Sequence, residues 1–261
     1  MKTALVTGGT SGIGLCAARE LAAAGYNVYT FSRRGTGPAG MTHLAVDVTD
    51  EAAVQQAVAR IVSETDRLDL VLHCAGFGIS GAVEFTDTAD AQRLFEVNFF
   101  GIVRVNKAAI PHLRQSRGRI IHVSSVAAPV AIPFQTYYSA TKAAINDYSL
   151  ALANELRPFR ISVCAVMPGD IRTGFTAARE KTVLGDDLYN GRIHRSVSRM
   201  EHDEQTGMAP EQAGKFLRKI AEKTRVKPLC TIGFSYQCIC LLVKLLPAAL
   251  VNRLVYLLYG K

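Results

Sequence analysis

The chain has 261 residues, 49% hydrophobic and 20% charged, which is enough for a full core, short enough for one α/β domain spanning 1–261, and unlike a disordered composition. Its formal charge of +8 selects no partner by itself. The basic clusters Arg192, Arg195 and Arg199, then Lys215, Arg218, Lys219, Lys223, Arg225 and Lys227, belong to no recognised nucleic-acid module and read as solvated faces, so no nucleic acid is expected.

The opening MKTALVTGGTSG lacks the apolar region and cleavage site of a secretory signal. Cys16, Cys74, Cys164, Cys230, Cys238 and Cys240 stand at neither disulfide nor metal-finger spacings. They read as reduced core residues with no metal, and a cytoplasmic location is expected.

Short apolar runs alternate with helical patterns: TALVT, NVYTF, HLAVD, DLVLH, RIIHVSS and ISVCAVM. That alternation predicts a Rossmann-type, doubly wound, mostly parallel sheet of about seven strands flanked by helices. Helical spacing covers residues 12 to 25, 51 to 64, 88 to 116 and 136 to 157, and the third stretch should be two helices broken near Asn98 to Gly101.

The first strand enters Thr7-Gly8-Gly9-Thr10-Ser11-Gly12-Ile13-Gly14, with a helix starting at about Ile13. Glycines there permit a tight turn and close approach to a pyrophosphate, whose charge meets the helix N-terminus. The second strand ends Phe31-Ser32-Arg33-Arg34. Ser32 stands where an acid would select NAD, and the two arginines offer paired donors to a 2′-phosphate, which predicts NADP(H); a basic surface turn is the competing reading. In LAVDVTD, Asp47 is placed to accept from the adenine amino group, while helix capping falls better to Thr49 or Asp50.

Ser125 ends the strand RIIHVSS, where a parallel sheet presents groups to its ligand crevice. Of nine tyrosines only Tyr138 has a lysine four residues on, Lys142, which puts both side chains on one helix face. Such a pair arises by chance too readily to stand alone. Alternation points Ser124 away from Ser125, and Tyr137 faces off Lys142 as packing or substrate lining. His73, His112 and His122 take structural roles.

From Asp170 to Met208 the pattern dissolves, at a length typical of a substrate lid that is mobile without ligand. A basic amphipathic helix follows from Pro210 to about Lys223, with Ala213, Phe216, Leu217 and Ile220 on one face, then a last strand near residues 228 to 232. The apolar extension 233–261 is interrupted by Lys244, Pro247, Asn252 and Arg253. It reads as helix packed on a subunit or lying on a membrane surface rather than crossing a bilayer.

Taken together, TGGTSGIG, LAVDVTD, Asn98 of VNFFG, Ser125, Tyr138-Ser139-Ala140-Thr141-Lys142, and Pro168-Gly169 with Thr173 resemble the short-chain dehydrogenase/reductase family in order and spacing over nearly the whole chain. The resemblance implies Asn98, Ser125, Tyr138 and Lys142 as the catalytic set. It further implies Val48, Ala75, Gly76, Pro168, Gly169, Ile171 and Thr173 around the cofactor. Tyr138 would exchange the proton and Ser125 would hold the substrate oxygen. Lys142 would contact the nicotinamide ribose, and Asn98 would hold a water linking Lys142 to solvent. Bringing a phenol from a pKa of about 10 to neutrality requires roughly 4 kcal/mol, which the Lys142 ammonium and oxidised nicotinamide would supply.

One departure is Cys74-Ala75-Gly76 where the family usually has Asn-Ala-Gly, which questions local rigidity. VNFFGIVRV, IPFQTYYSATKAAI, PGDIRTGF and the apolar extension are similar to the 17β-hydroxysteroid and retinol dehydrogenase branch, implying a lipophilic substrate such as a hydroxysteroid. A fatty acyl or sphingoid ketone is the enzymatic alternative, and a non-catalytic NADPH-binding peripheral membrane protein is the alternative of another class. A homodimer or homotetramer is expected.

Overall fold

The computed structural model describes residues 1–33 and 35–261; the expected phosphate contact of Arg34 lies outside the described residues. In chain order, β1 (Thr3–Thr7) feeds α1 (Gly12–Ala23), followed by β2 (Asn27–Ser32), β3 (Thr42–Ala45), α2 (Glu51–Thr65), β4 (Leu70–His73) and the short β5 (Ile79–Ser80). Then come α3 (Thr88–Phe95), α4 (Gly101–Ser116), β6 (Arg119–Val123), α5 (Thr136–Glu155) and β7 (Ser162–Met167). The last third holds α6 (Phe175–Ala178), β8 (Glu180–Lys181), α7 (Arg192–Thr206), α8 (Pro210–Glu222), β9 (Leu229–Thr231), α9 (Phe234–Leu245) and α10 (Ala248–Val255).

The main sheet has seven strands in the order β3-β2-β1-β4-β6-β7-β9, all pairs parallel. The strands are apolar on both faces because helices cover both. Leu5, Phe31, Val71 and Ile120 pack with α2, α4 and α5, whereas Val6, Leu72, Ile121 and Val166 pack with α1 and α8. Strand order reverses between β1 and β4, and the crevice beyond their carboxyl ends is where such sheets take ligands.

Several expectations change. Residues 88 to 116 do not break: α3 and α4 join through a π-helical turn, Glu96–Phe100, whose extra residue carries the buried Asn98 inward. Gly101 allows the close approach there, since a Cβ on it would stand 2.7 Å from Cγ2 of Val48. Residues 170 to 208 are not patternless: α7 buries Ile193, Ser196, Val197 and Met200, a helical stripe disguised by its serine and by polar residues on every other face.

The arginines of α7 do more than face solvent, although Arg195 and Arg199 are exposed. The guanidinium of Arg192 lies 5.4 Å from the Tyr256 ring, and that of Arg199 lies 5.3 Å from the Tyr259 ring. Arg192 also donates to the Gly260 carbonyl, so α7 clamps the 256–261 segment. All six cysteines are free thiols, but only Cys164 and Cys240 are buried and Cys238 is exposed. The apolar extension is two helices divided at Pro247. Among the described residues no helix is long and apolar enough to cross a membrane.

Candidate active site

A cavity of about 380 Å³ opens at the strand-order reversal. Its floor at one end is the glycine loop. Gly8 has φ +65°, and a Cβ on it would stand 2.8 Å from the Ala75 nitrogen; a Cβ on Gly14 would collide with the Gly8 carbonyl. Ser11 holds the N-cap of α1 with no side-chain capping bond, which leaves the helix N-terminus to an outside anion. A cradle that any side chain would fill, facing a helix N-terminus, fits a dinucleotide pyrophosphate.

Gly8, Ser11, Gly12, Ile13, Gly14, Ala75, Gly76, Pro168, Gly169, Ile171 and Thr173 all line this cavity, together with Ser125, Tyr138 and Lys142. Thr10, Ser32, Arg33, Asp47 and Val48 lie outside its walls. The Ser32 hydroxyl is 3.5 Å from Nε2 of His43, and Arg33 is exposed. Asp47 takes part in its own turn: Oδ1 accepts from the Thr49 amide at 2.9 Å and the Thr49 hydroxyl at 2.8 Å. Asp50, not Thr49, caps α2. The Val48 side chain is buried in the core.

Cys74 does not loosen its loop, because β1 holds it directly: the Cys74 amide donates to the Thr7 carbonyl at 3.1 Å, and the Ala75 amide to the Thr7 hydroxyl at 3.3 Å. The next residues are clasped by Asn98. Its Oδ1 accepts from the Phe77 amide and its Nδ2 donates to the Phe77 carbonyl, both at 3.0 Å, with Thr141 Oγ1 a further 3.3 Å partner. The Asn98 side-chain amide is thus committed to the cavity loop and to α5.

Ser125 Oγ accepts from the Ala127 amide at 3.1 Å and acts on the neighbouring Tyr138 phenol, while Ser124 turns the other way, donating to the Lys142 carbonyl at 3.0 Å. Lys142 Nζ lies 5.5 Å from the Tyr138 ring centre and donates to the Val123 carbonyl at 2.9 Å. Burial dominates both groups. It pushes the Tyr138 phenol up to about 12 against the pull of Ser125, and the Lys142 ammonium down to about 8. In the protein alone, burial and the Glu204 charge raise the phenol against Ser125 and Arg179.

Sequence reasoning missed the other half of the cavity. Gln135, Phe175, Met200, Glu204 and Tyr259 line it, and Phe175 lies 5.7 Å from Tyr138 between ring centres. Glu204 pairs with the buried Arg179 and accepts from Thr176 Oγ1 at 2.6 Å. Asp170 accepts from the Tyr236 hydroxyl, and burial raises its pKa. The helical stripe of α7 was the one signal that pointed to Glu204. Nothing local marked Tyr259.

A second buried polar cluster lies deeper. Asn106 Oδ1 is 2.9 Å from His73 Nε2, Asn106 Nδ2 is 3.0 Å from His122 Nε2, and His122 Nδ1 is 2.7 Å from Ser149 Oγ. Ser149 donates to the Ile145 carbonyl, so His122 donates through Nδ1 and accepts through Nε2, leaving His73 to donate to Asn106. Neither imidazole is a wall of the cavity, as expected of structural histidines.

Comparison with known proteins agrees with this architecture. The family model for short chain dehydrogenase matches residues 2–184. A 3-ketodihydrosphingosine reductase of Bacteroides thetaiotaomicron is 40% identical over 242 residues, covering 88% of this chain and 90% of that protein. A probable short-chain type dehydrogenase/reductase, VdlC, of Helicobacter pylori is 30% identical over 94% of this chain and 93% of its own. Among solved structures, a short-chain dehydrogenase from Streptomyces avermitilis superimposes with a TM-score of 0.83 at 27% identity, covering 92% of this chain and 90% of that one. The chain belongs to the short-chain dehydrogenase family, oxidoreductases that act on carbonyl and hydroxyl groups.

Proposed function

We propose that this protein is an NADP(H)-dependent reductase of a lipophilic ketone of the sphingoid type. The observation that carries this reading is the meeting of Ser125 and Tyr138 in a cavity whose walls combine apolar side chains with the carboxylates of Asp170 and Glu204. A long-chain 2-amino-3-ketone brings an alkyl chain for the first and an ammonium for the second. The relative named 3-ketodihydrosphingosine reductase supports the same choice. A hydroxysteroid, expected from the sequence, would fill the apolar walls but offers no cation to Asp170, whose carboxylate has the Tyr236 hydroxyl as partner whereas Glu204 already has Arg179.

When bound, the nicotinamide supplies the hydride. Tyr138, whose phenol is held near 12, is a protonated acid at neutral pH and gives its proton to the substrate oxygen. Ser125 donates to the same oxygen and fixes its position. Lys142 anchors α5 to the end of β6 through the Val123 carbonyl and presents its ammonium beside the ring of Tyr138. Asn98 acts through the Phe77 loop and Thr141 as a positioning residue. The segment 170–208 serves as the substrate lid, and Ser32 with Arg33 favours a 2′-phosphate. Convergence of Ser125 and Tyr138 on one cavity speaks against a non-catalytic NADPH-binding role, which needs no such geometry.

The test is NADPH oxidation with a long-chain 2-amino-3-ketone, a 17-ketosteroid and a simple acyl ketone. The amino ketone should turn over fastest; equal or faster steroid turnover restores the hydroxysteroid reading, and no turnover of any favours the binding role. In the same assay Arg33→Ala should weaken NADPH about tenfold, the scale of one charge-assisted bond, and leave NADH unchanged. An equal effect on both cofactors removes the case for NADP(H).

A further inference from the structure

The two terminal helices expose apolar side chains in regular stripes. On α9 Phe234, Leu241, Leu242 and Leu245 are 81%, 58%, 52% and 71% exposed. On α10 and the turn after it, Leu250, Leu254, Leu257 and Leu258 are also exposed. The spacing puts each set on one face, and so large an uncovered apolar surface marks a contact with something else.

The surrounding charge has one sign. From Lys223 to Lys261 there is no aspartate or glutamate, while Lys223, Arg225, Lys227, Lys244, Arg253 and Lys261 are cations. Four of them, Lys223, Arg225, Lys227 and Lys244, line a groove of about 500 Å³ between the end of α8, β9 and α9. No salt bridge is formed by these four among the described residues, and the neighbouring Glu222 is paired with Arg218 at 2.6 Å.

We propose that the exposed leucine stripes of α9 and α10, with this cationic groove beside them, are a docking surface for an anionic lipid bilayer. Leucine and aromatic side chains beside lysine and arginine are the composition of a segment lying in the plane of a membrane interface. The charge pattern selects this occupant over a second copy of the chain. A twofold contact through this face would set Lys244 and Arg253 against their own duplicates with no acid to answer them. Crossing is excluded for these helices: α9 has 12 residues and reaches only about 18 Å before Pro247 turns the chain.

The surface is also tied to the cavity. Tyr236 of α9 donates to Asp170, and Tyr259, just beyond α10, is itself a cavity wall. Docking would therefore hold the cavity mouth at the lipid phase.

Sedimentation of the full chain with vesicles of phosphatidylglycerol and phosphatidylcholine, against phosphatidylcholine alone, tests the proposal without reference to turnover. The chain should partition to the anionic vesicles, and less so as salt rises. Leu241→Glu with Leu245→Glu should abolish partition. Lys227→Ala with Lys244→Ala should weaken it about 30-fold, at about fivefold per cation, with nucleotide binding retained as the check on folding. In the unaltered chain, amide hydrogen exchange across residues 234 to 258 should slow when anionic vesicles are added. Absence of partition, leucine variants that partition like the parent, or exchange unchanged by vesicles would each overturn the proposal. So would a parent oligomer that Leu241→Glu dissolves into monomers, which would identify a second copy as the occupant.

Discussion

Two polar clusters sit near the carboxyl ends of β4 and β6, one buried and one half-buried at the cavity wall, and they differ in whether their polar groups are used up on one another. In the His73, Asn106, His122 and Ser149 chain, the bonds run from one side chain to the next and end on the Ile145 carbonyl. Ser125 and Tyr138 instead both line an open cavity, where a substrate oxygen can enter. Burial depresses the basicity of both histidines and raises the phenol alike. A perturbed pKa therefore does not separate structural from chemical groups here; access to an open cavity does.

The sharpest test of that contrast is Tyr138→Phe. It should lower turnover about 10³-fold, within the range for loss of a positioned proton donor, while nucleotide binding persists. Undiminished turnover would remove Tyr138 as the donor.

The closed cluster should instead answer to acid. His73 is held down to about 4 from an ordinary 6.5, so the unfolded chain takes up its proton first as pH falls. The stability it contributes is complete above pH 6.5 and is lost as pH approaches 4, by about 3 kcal/mol. Urea unfolding at pH 7 and pH 4.5 measures this, and His73→Gln should flatten the slope. An unchanged slope would mean that the imidazole is not buried as described.

Smaller still, Asn106→Ala should cost about 2 kcal/mol of stability by leaving both imidazoles short of a partner. Turnover per folded molecule should hold. If turnover fell while stability held, the two clusters would not be separable.

What could be read from the sequence follows from how local each contact is. The glycine loop and the Tyr138/Lys142 pair are set by neighbours within one turn or one strand end, so spacing places them once the order of the surrounding motifs singles the pair out. The same periodic reasoning found α8 from Ala213, Leu217 and Ile220. It missed α7, where a buried serine interrupts the apolar stripe. Asp47 also holds its own turn through Thr49 two residues away, a contact as local as the glycine loop. Glu204 and Tyr259 reach the cavity only through long-range packing of α7 against the 256–261 segment, and no spacing rule carries that information. Asp170 and Glu204 escape a sequence reading for the same reason: their convergence on the cavity is visible only in three dimensions.

The widened turn at Glu96–Phe100 also governs which changes in length the 88–116 rod can accept. A π turn carries one residue more than a regular helical ladder needs. Dropping a residue within it lets the rod close up with its inward face preserved, whereas a deletion farther along would swing Val105, Ala109 and Leu113 by about 100° out of the interior. Shortening is thus tolerable at the one place where it would forfeit the clasp on Phe77, which makes this turn a natural point at which a descendant could retain its architecture while abandoning its chemistry.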